Sequence, residues 1–512
     1  MIIKFLISIL PIICLIGMLT ILKMPGYKAC FASALLTILI GMLYFKMSVL
    51  EVATASLEGI LNALWPICLV IVAALFVYNL TLETKAMDKI KAMLSSVSMD
   101  KRILALIIGW GFGNFMEGMA GFGTAVAIPA SILIAMGFEP VTTVIGLLVV
   151  NSTPTAFGSV GVPLVTLSGI TGIDAVALSG NTAIMQAVLT FVSPYILVFM
   201  IGKGLKRRDA MKGMWAFTTV AAFAFLAPQF LAARFIGPEL GDIIGAIFCM
   251  IVLVLISIKS TRTVPAEYAV SDVKKVSIDL KSALVAWCPF ILIFVILLLT
   301  SSLVPAIHDP LSSIASKVTV YSGKNPGSLG FTWINTPGVL IMIAGLVGGL
   351  IQGASIKTIV KTYVDTLIGN WKTIVTICSV LALAKIMGYS GMISAIAALL
   401  VAVTGQLYPL FTPLIGTLGG FVTGSGTSTQ VLFGQLQVES AKAIGWDPSW
   451  IAAANAVGAG IGKMISPQGI AIGCAAAGLA GQESVLLKKV FVFALVFAIV
   501  AGIICFGLPC VL

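Results

Sequence analysis

The 512-residue sequence has little charge. Asp, Glu, Lys and Arg together make up 10% of the residues, against roughly 25% in soluble globular proteins. Apolar residues make up 59%, and the mean hydropathy is +1.13. A water-soluble fold of this length needs more polar surface than so few charged side chains provide. The composition therefore excludes a soluble protein.

The sequence also has few residues of the kinds that bind metals or form disulfides. None of the nine Cys residues belongs to a CxxC pair, and His308 is the single histidine. Neither a zinc site nor a disulfide framework is therefore indicated. Gly462 and Lys463 lack the glycine and the hydroxyl residue that a phosphate loop places around such a pair. We expect no metal, no cofactor and no enzymatic activity.

Long apolar runs dominate the sequence instead. Several approach the ~20 residues that a bilayer-spanning helix requires. These runs are Ile2–Leu22, Ala29–Phe45, Ile60–Leu80, Phe217–Phe235, Leu284–Leu303 and Val490–Leu508. We predict an all-α polytopic membrane protein with about 12–14 transmembrane or re-entrant helices.

The net charge of +11 comes from short basic segments between the apolar runs. Positive residues mark the cytoplasmic loops of membrane proteins, so the charge does not indicate a nucleic-acid partner. We predict a multi-pass protein of the inner or plasma membrane of a bacterial cell, with its N-terminus outside. The basic segments are Lys85–Arg102, Lys203–Lys212, Lys259–Lys281 and Lys357–Lys372.

The apolar run Ile103–Phe138 does not fit a simple membrane span. A continuous helix of this length would overshoot the bilayer, and the run is too short for two spans and a loop. It also contains several Gly residues, Pro129 and the acidic Glu117. Irregular backbone at membrane depth is tolerated only where it is buried in protein or lines a cavity. The run therefore predicts a broken helix or a re-entrant hairpin.

A second Gly-rich segment, Gly416–Gly434, has the same character, and similar phrases follow both segments. Glu139-Pro140 follows the first and Asp447-Pro448 the second. An Asn comes next in each half, and a Pro follows it twelve residues later. Paired Gly/Pro-interrupted segments point to a transporter binding site. The alternative is that these Gly residues only allow close helix packing.

We predict two inverted repeats, each with a Gly/Pro-broken hairpin. The predicted sections are 1–102, N-terminal membrane spans; 103–258, the first transport repeat; 259–283, a cytoplasmic loop; 284–410, second-half spans with an extracellular loop near 305–332; and 411–512, the second broken hairpin and C-terminal spans.

Glu117 is the candidate for proton coupling. A charge near the centre of an apolar run costs ~2.5 kcal/mol or more, so the side chain faces a cavity or a partner. A carboxyl group there can take up and release a proton. The alternative is a structural acid that accepts hydrogen bonds from hairpin amides.

Hydroxyl residues beside the glycines are candidates for substrate binding. Ser425, Thr427 and Ser428 follow Gly424, and Thr124 stands in the first hairpin. Such hydroxyls can donate to a carboxylate, and a half-helix N-terminus adds its positive dipole end. Alternatively, they bond back to the preceding helical turn.

Amide and amine side chains complete the candidates. Asn151 and Asn455 either bind a hydroxy acid or clamp helices together. Lys463 either pairs with a substrate carboxylate or extends to the membrane interface, and for Lys385 the interface is expected. The full substrate-binding set is Thr124, Asn151, Ser152, Ser425, Thr427, Ser428, Asn455, Lys463, Ser466 and Gln468, with hairpin glycines Gly118, Gly121, Gly123, Gly424 and Gly426.

Several phrases resemble the lactate permease family and occur in the family's order. They are Trp110–Ala130 (WGFGNFMEGMAGFGTAVAIPA), Asn151–Pro163, Phe235–Ile243, Ala286–Phe290, Thr423–Gln437 and Ala453–Ile472. Members of this family import L-lactate, often also D-lactate or glycolate, together with protons. The resemblance implies a secondary active transporter of lactate and related short 2-hydroxy monocarboxylates.

One phrase departs from the family pattern. Members commonly read TGSDTSSN where this chain has Gly426 in place of the acid and Gln430 in place of the final Asn. If that acid helps to bind a coupling ion, stoichiometry or substrate preference differs here.

The alternatives are a sodium-coupled transporter of another anion such as a dicarboxylate, an intramembrane enzyme, and a passive channel. The expected partners are a small carboxylate, protons (or sodium) and the lipid bilayer, and a homodimer is left open.

Overall fold

The computed structural model describes residues 2–22, 24–121, 123–201, 210–259, 264–270, 279–301, 303–324, 326–479 and 482–510. In these ranges the chain is almost entirely helical. The helices are α1 (Ile2–Thr20), α2 (Gly26–Leu43), α3 (Val49–Asn62), α4 (Leu69–Glu83), α5 (Ala86–Ser95), α6 (Lys101–Leu104), α7 (Gly113–Met119), α8 (Thr124–Ala135), α9 (Pro140–Val150), α10 (Gly158–Thr171), α11 (Ala175–Ile201), α12 (Trp215–Phe235), α13 (Gly241–Lys259), α14 (Leu280–Leu299), α15 (Pro305–Ser313), α16 (Pro337–Ile351), α17 (Ile356–Gly369), α18 (Trp371–Ser390), α19 (Met392–Thr404), α20 (Tyr408–Thr423), α21 (Gly426–Ile444), α22 (Pro448–Ile465), α23 (Pro467–Ala477) and α24 (Glu483–Gly507).

Two short strands, two π-helical segments and four short 3₁₀ segments complete the framework of the described residues. The strands β1 (Ala315–Thr319) and β2 (Ser328–Thr332) pair antiparallel, with Lys317 opposite Gly330. The π-helical segment Ala63–Cys68 joins α3 to α4, and Ala105–Phe112 joins α6 to α7.

Many of the helical stretches are long and apolar enough to cross a bilayer. In the described part of the chain, ten helical stretches meet this condition, and α9 with α10 forms an eleventh that bends by 59°. Large apolar side chains such as Phe31, Phe223 and Ile503 stay exposed on the helix surfaces, as lipid-facing residues do. The predicted all-α polytopic membrane fold is confirmed.

Three basic segments meet on one face of the helix bundle. The Arg102 guanidinium donates to the carbonyl oxygens of Ala210 (3.2 Å) and Lys212 (3.1 Å) and lies 4.1 Å from the Tyr268 ring centroid. Thr84 bonds to Gln352 at 2.7 Å, so the turn before α17 lies on this face too. The positive-inside rule predicts that this face is the cytoplasmic one. The predicted loops at 203–209, 260–263 and 271–278 lie outside the described residues.

The first predicted hairpin is present. The run from α6 to α7 turns back into α8 around Gly121 (φ 60°) and Gly123 (φ 87°), and left-handed backbone of this kind favours glycine. The two ends of the hairpin meet again, because Lys101 Nζ donates to the Gly137 carbonyl at 3.0 Å. Ile103–Phe138 is therefore a re-entrant hairpin that returns to the face where it began.

The second hairpin consists of α20 and α21, which turn back at Gly424 (φ 64°). Gln406 Nε2 donates to the Ile444 carbonyl at 3.1 Å and closes its ends. α20 packs closely on α22, because a Cβ on Gly416 or Gly462 would collide with the facing backbone. Close packing therefore explains these glycines, as the packing alternative expects.

The repeated acid-Pro phrases begin the helix that follows each hairpin. The Glu139 carboxylate accepts the Val141 and Thr142 N–H groups ahead of α9, and Asp447 accepts the Ser449 N–H ahead of α22. An acidic N-cap followed by Pro at the first helical position is a strong helix start. The shared phrase therefore has one structural cause in both halves.

The helices that follow the two hairpins start at opposite ends of α24, as the predicted inversion of the repeats requires. Near the start of α24, Lys489 is close enough to Glu139 for their charges to interact. Near its end, the Cys505 carbonyl accepts the Trp450 indole N–H at 2.8 Å. These two positions on α24 are about 24 Å apart along the helix axis. The first turns of α9 and α22 therefore lie at opposite ends of α24.

Candidate functional site

A cavity of about 470 Å³ lies where the hairpin turns meet the broken helices. Its inner wall is formed by the second hairpin turn, the start of α23, the α9–α10 break and Glu117. Its mouth is formed by the α1–α2 connection and the start of α18. α17 begins on the face that carries the basic segments, and with 14 residues it is too short to span the bilayer. α18 follows it directly, so the mouth lies on that face.

Two helices begin at the cavity wall. α21 starts at Gly426, with Ser425 Oγ accepting the Ser428 N–H at 3.2 Å. α23 starts at Pro467, with Ser466 Oγ accepting the Gly469 N–H at 3.0 Å. The N-terminus of a helix carries a partial positive charge and free N–H groups. The cavity wall is therefore suited to an anion.

The start of α10 adds a strained turn to the wall. Ser159 (φ 48°), Val160 (φ 56°) and Gly161 (φ 73°) all adopt left-handed backbone. For non-glycine residues this costs of order 1–3 kcal/mol each. Ser159 Oγ donates to the Ala120 carbonyl at 2.9 Å, and a Cβ on Gly161 would touch Pro238. The turn is thus held between the first hairpin and the α12–α13 connection.

An ion pair at the cavity joins the two repeats. Lys463 Nζ on α22 lies 2.5 Å from Glu117 Oε1 on α7, and their side chains are 13% and 2% exposed. Asn151 Nδ2 donates to Glu117 Oε2 at 3.0 Å. Breaking a buried pair by removing one partner is costly, because it leaves a charge without compensation. The acid of one repeat is thus held by the amine of the other.

Two of the predicted hydroxyls are available to a ligand. Thr427 and Ser428 line the cavity, and no described residue is hydrogen-bonded to either hydroxyl. Other hydroxyls are already bonded, since Thr124 Oγ1 donates to the Gly121 carbonyl at 2.7 Å and Ser466 Oγ to the Lys463 carbonyl at 2.9 Å. Thr124 therefore has the local bonding that the alternative describes.

The remaining predicted residues divide between the wall and the packing around it. Gln468, Gly123, Gly424 and Gly426 line the cavity with Glu117, Ser425 and Lys463. Thr124, Asn151, Ser152, Asn455, Ser466, Gly118 and Gly121 do not line it.

The paired Asn residues have different surroundings. Asn151 holds Glu117, whereas Asn455 Nδ2 donates to Gln430 Oε1 at 2.8 Å and its Oδ1 accepts Gln437 Nε2 at 3.3 Å. Asn455 thus links α22 to α21, which is the geometry of the clamp alternative. Ser152 Oγ donates to a carbonyl within its own turn.

Sequence reasoning missed several polar residues. Lys372, Thr373 and Thr376 line the mouth of the cavity from α18, and their positions at a span end gave no signal. Lys385 was expected at the interface, but its Nζ lies 2.7 Å from buried Glu58. The sequence feature that could have indicated this pair is the acidic Glu58 among apolar residues.

Charge and donor types limit what the cavity can hold. Among the described lining residues, Lys372 and Lys463 are cationic and Glu117 is the one carboxylate. The described residues contain no group of three or more His, Cys, Asp or Glu that could hold a metal ion. One net positive charge suits a small monoanion.

Comparisons with known proteins agree over nearly the whole chain. The family described as L-lactate permease matches residues 4–512. An L-lactate permease from Streptococcus iniae is 42% identical over 446 residues, which are 87% of this chain and 92% of the relative. The glycolate permease GlcA of Escherichia coli K12 is 34% identical over 547 residues, covering 98% of this chain and 94% of the relative.

One solved structure has a similar fold. Neisseria gonorrhoeae MtrF, described with a class of antimetabolite efflux pumps, superposes with a TM-score of 0.52 at 14% identity. The match covers 96% of each chain. At this identity the similarity concerns the fold alone.

Proposed function

Because the chain belongs to the L-lactate permease family, we propose that it is a secondary active transporter that imports lactate and related short 2-hydroxy monocarboxylates together with protons. The chain is a multi-pass protein of the bacterial plasma membrane. The relatives named for L-lactate and for glycolate support a 2-hydroxy acid as the substrate.

The observation that carries this proposal is the Glu117–Lys463 ion pair on the cavity wall. A substrate carboxylate can bind Lys463 and the N-terminus of α21. The hydroxyls of Thr427 and Ser428 lie on the same wall and can bond the 2-hydroxyl group. The cavity exceeds the size of a six-heavy-atom lactate, which leaves room for water along the path to its mouth.

The same ion pair suggests how proton and substrate are coupled. Glu117 and a substrate carboxylate would compete for the Lys463 amine, because each is a monoanion and Glu117 already pairs with it. A proton on Glu117 removes its charge and releases Lys463 for the substrate. Lactate and proton then occupy the site together as a neutral pair. Without the proton, an anion moving inward against a 100 mV potential would cost ~2.3 kcal/mol.

The cavity opens on the basic face, so this conformation is inward-open. On the opposite side, Glu58 binds Lys385 (2.7 Å) and Tyr389 (2.9 Å), and the Tyr389 ring stacks on Tyr321 at 3.6 Å. Tyr321 lies between β1 and β2, so this cluster packs the predicted outer loop onto α3 and α18. We propose that the contacts of this cluster break when the hairpins move in alternating access, which opens the outer side of the site. A pair of outward-open and inward-open structures with no such movement would refute this.

Uptake by the purified protein in proteoliposomes tests the proposed function. Labelled lactate, glycolate and succinate are offered under separate proton and sodium gradients. We expect saturable accumulation of lactate and glycolate with acid outside, no response to sodium, and no succinate uptake. Succinate uptake driven by sodium would favour the dicarboxylate alternative. Flux without accumulation would favour a channel.

A further inference from the structure

A second acid is buried behind the first hairpin. Asp242 lies in the first turn of α13 and is fully buried. The Gln229 amide on α12 donates from Nε2 to Asp242 Oδ1 at 2.6 Å. Two atoms of this pair, Asp242 Oδ2 and Gln229 Oε1, have no hydrogen-bond partner among the described residues.

An ionised Asp242 does not fit these surroundings. It forms no ion pair with any described Lys, Arg or His. A buried carboxylate without a cation, and with one oxygen unbonded, carries a large desolvation cost. A protonated carboxyl group instead has an O–H donor and is neutral.

A proton on Asp242 satisfies both unbonded atoms at once. The carboxyl and carboxamide groups are planar and already share one N–H···O bond. In a coplanar arrangement, the Asp242 O–H donates to Gln229 Oε1 and closes a ring of two hydrogen bonds. No other group is needed, and no buried polar atom of the pair is left unbonded.

The pair lies directly behind the proposed proton carrier. Gly118 follows Glu117, and a Cβ on Gly118 would lie 3.0 Å from Asp242 Cβ. The charges of Glu117 and Lys463 both act on Asp242. We propose that Asp242 is protonated in this conformation, paired with Gln229, and serves as a second proton site that exchanges with Glu117.

The charged groups around α13 give this exchange a direction. α13 packs against α12, α7, α10 and the π-helical segment before α7. Besides Glu117 and Lys463, the described charged groups on α13, on these elements and on the preceding loop are Lys259 at the far end of α13, Arg234, exposed at the end of α12, and Glu239. Burial raises the pKa of Glu239 to about 7. Glu239 stands three residues before Asp242 in the α12–α13 connection, and we assign it the supply of protons to Asp242 from that side.

Each transfer moves one proton between two carboxyl groups. Asp242 gives its proton to the Glu117 carboxylate, which releases Lys463, and Asp242 becomes a carboxylate that still accepts the Gln229 N–H. A proton from the outer side then restores the neutral acid. This role for Asp242 rests on the proposed proton coupling, whereas its protonation in the present conformation does not.

The test uses Asp242→Asn in the full-length protein. Asn keeps the shape and both hydrogen bonds to Gln229 but cannot carry a proton. We expect normal folded yield, normal lactate–lactate exchange and at least a ten-fold loss of pH-driven uptake, with the exposed Asp309→Asn as matched control. Wild-type pH-driven uptake by the Asn variant would overturn the proton-site role. Absence of any lactate transport by the wild-type protein would instead reject the proposed function.

Infrared spectroscopy tests the protonation independently of transport. At neutral pH the wild-type protein should show a protonated-carboxyl C=O band that Asp242→Asn lacks. If that variant does not fold, Gln229→Met, which removes the amide donor, should shift the band to higher frequency. A spectrum in which neither variant changes a protonated-carboxyl band would show that Asp242 is ionised and would overturn the inference.

Discussion

Replacing Glu117 by Gln separates binding from proton coupling. Gln keeps the shape of Glu and can still accept the Asn151 N–H, but it carries no charge to compete for Lys463. The variant therefore resembles the protonated transporter at every pH. We expect it to exchange lactate for lactate across the membrane while losing net uptake driven by a pH gradient.

The size of the effect follows from the charge that moves. With one proton per lactate the wild-type cycle is neutral, and accumulation rises about tenfold per pH unit, since one unit is worth ~1.36 kcal/mol per proton. Without the proton, lactate crosses as an anion and loses ~2.3 kcal/mol at 100 mV. That loss is about 50-fold in accumulation. A potential that leaves wild-type uptake unchanged should thus suppress uptake by Glu117→Gln.

The assay compares counterflow with pH-driven uptake in the same proteoliposomes. Glu439→Gln is the matched control, because Glu439 forms a more exposed pair with Lys442 at 3.5 Å. Full pH-driven accumulation by Glu117→Gln would refute the reasoning. Loss of exchange as well would assign Glu117 a binding or structural role. Lys463 faces the cavity, so water can replace the lost carboxylate and the variant should fold.

Three further predictions concern the clamp, the hydroxyls and the topology. Asn455→Ala leaves Gln430 without its hydrogen-bond donor and should lower the free energy of unfolding by about 1–3 kcal/mol, as measured by thermal unfolding. The lactate affinity of the folded fraction should stay unchanged, and a weaker affinity without loss of stability would place Asn455 in the binding site. Thr427→Val should raise KM about 2- to 10-fold through the loss of one hydrogen bond, and an unchanged KM would exclude contact with substrate. In a Cys-free background, Cys at Lys317 should react with an impermeant reagent from outside and Cys at Lys89 should not, and the reverse pattern would invert the topology.

The sequence was most informative where local chemistry decides the structure. Acid-Pro phrases at Glu139 and Asp447 are helix starts wherever they occur, because N-cap and first-turn preferences depend on neighbouring residues. The turn at Gly424 follows from the low cost of left-handed backbone for glycine. For this reason the two hairpins and their order were predictable without tertiary information.

The pairing of buried charges was not predictable from the sequence. Glu117 and Lys463 are 346 positions apart, and each alone is compatible with several partners. Lys385 lies near a span end and was predicted to extend to the membrane interface, but its amine forms an ion pair with Glu58. Such pairs depend on how the repeats dock. A single sequence contains no periodicity that reports this docking.

Equivalent residues of the two repeats also have different roles. Asn151 and Asn455 hold equivalent places in the two repeats, but the former meets an acid and the latter meets Gln430. The difference comes from what the opposite element presents at that depth. Inversion places the same phrase against unlike neighbours, so an internal repeat predicts positions in the fold more reliably than it predicts roles.

Gly426 is consistent with these different roles of the two repeats. A Cβ at Gly426 would lie 3.2 Å from Thr155 and 3.4 Å from Pro163, so a larger residue has little space without movement of α10. An acid here would also place its charge at the start of α21, where the helix N-terminus would attract it in competition with a substrate anion. With glycine, Glu117 is the one carboxylate among the described residues of the wall. Under the proposed coupling, competition for Lys463 is then between one protein acid and one substrate acid, as the transport of one proton with one monocarboxylate requires.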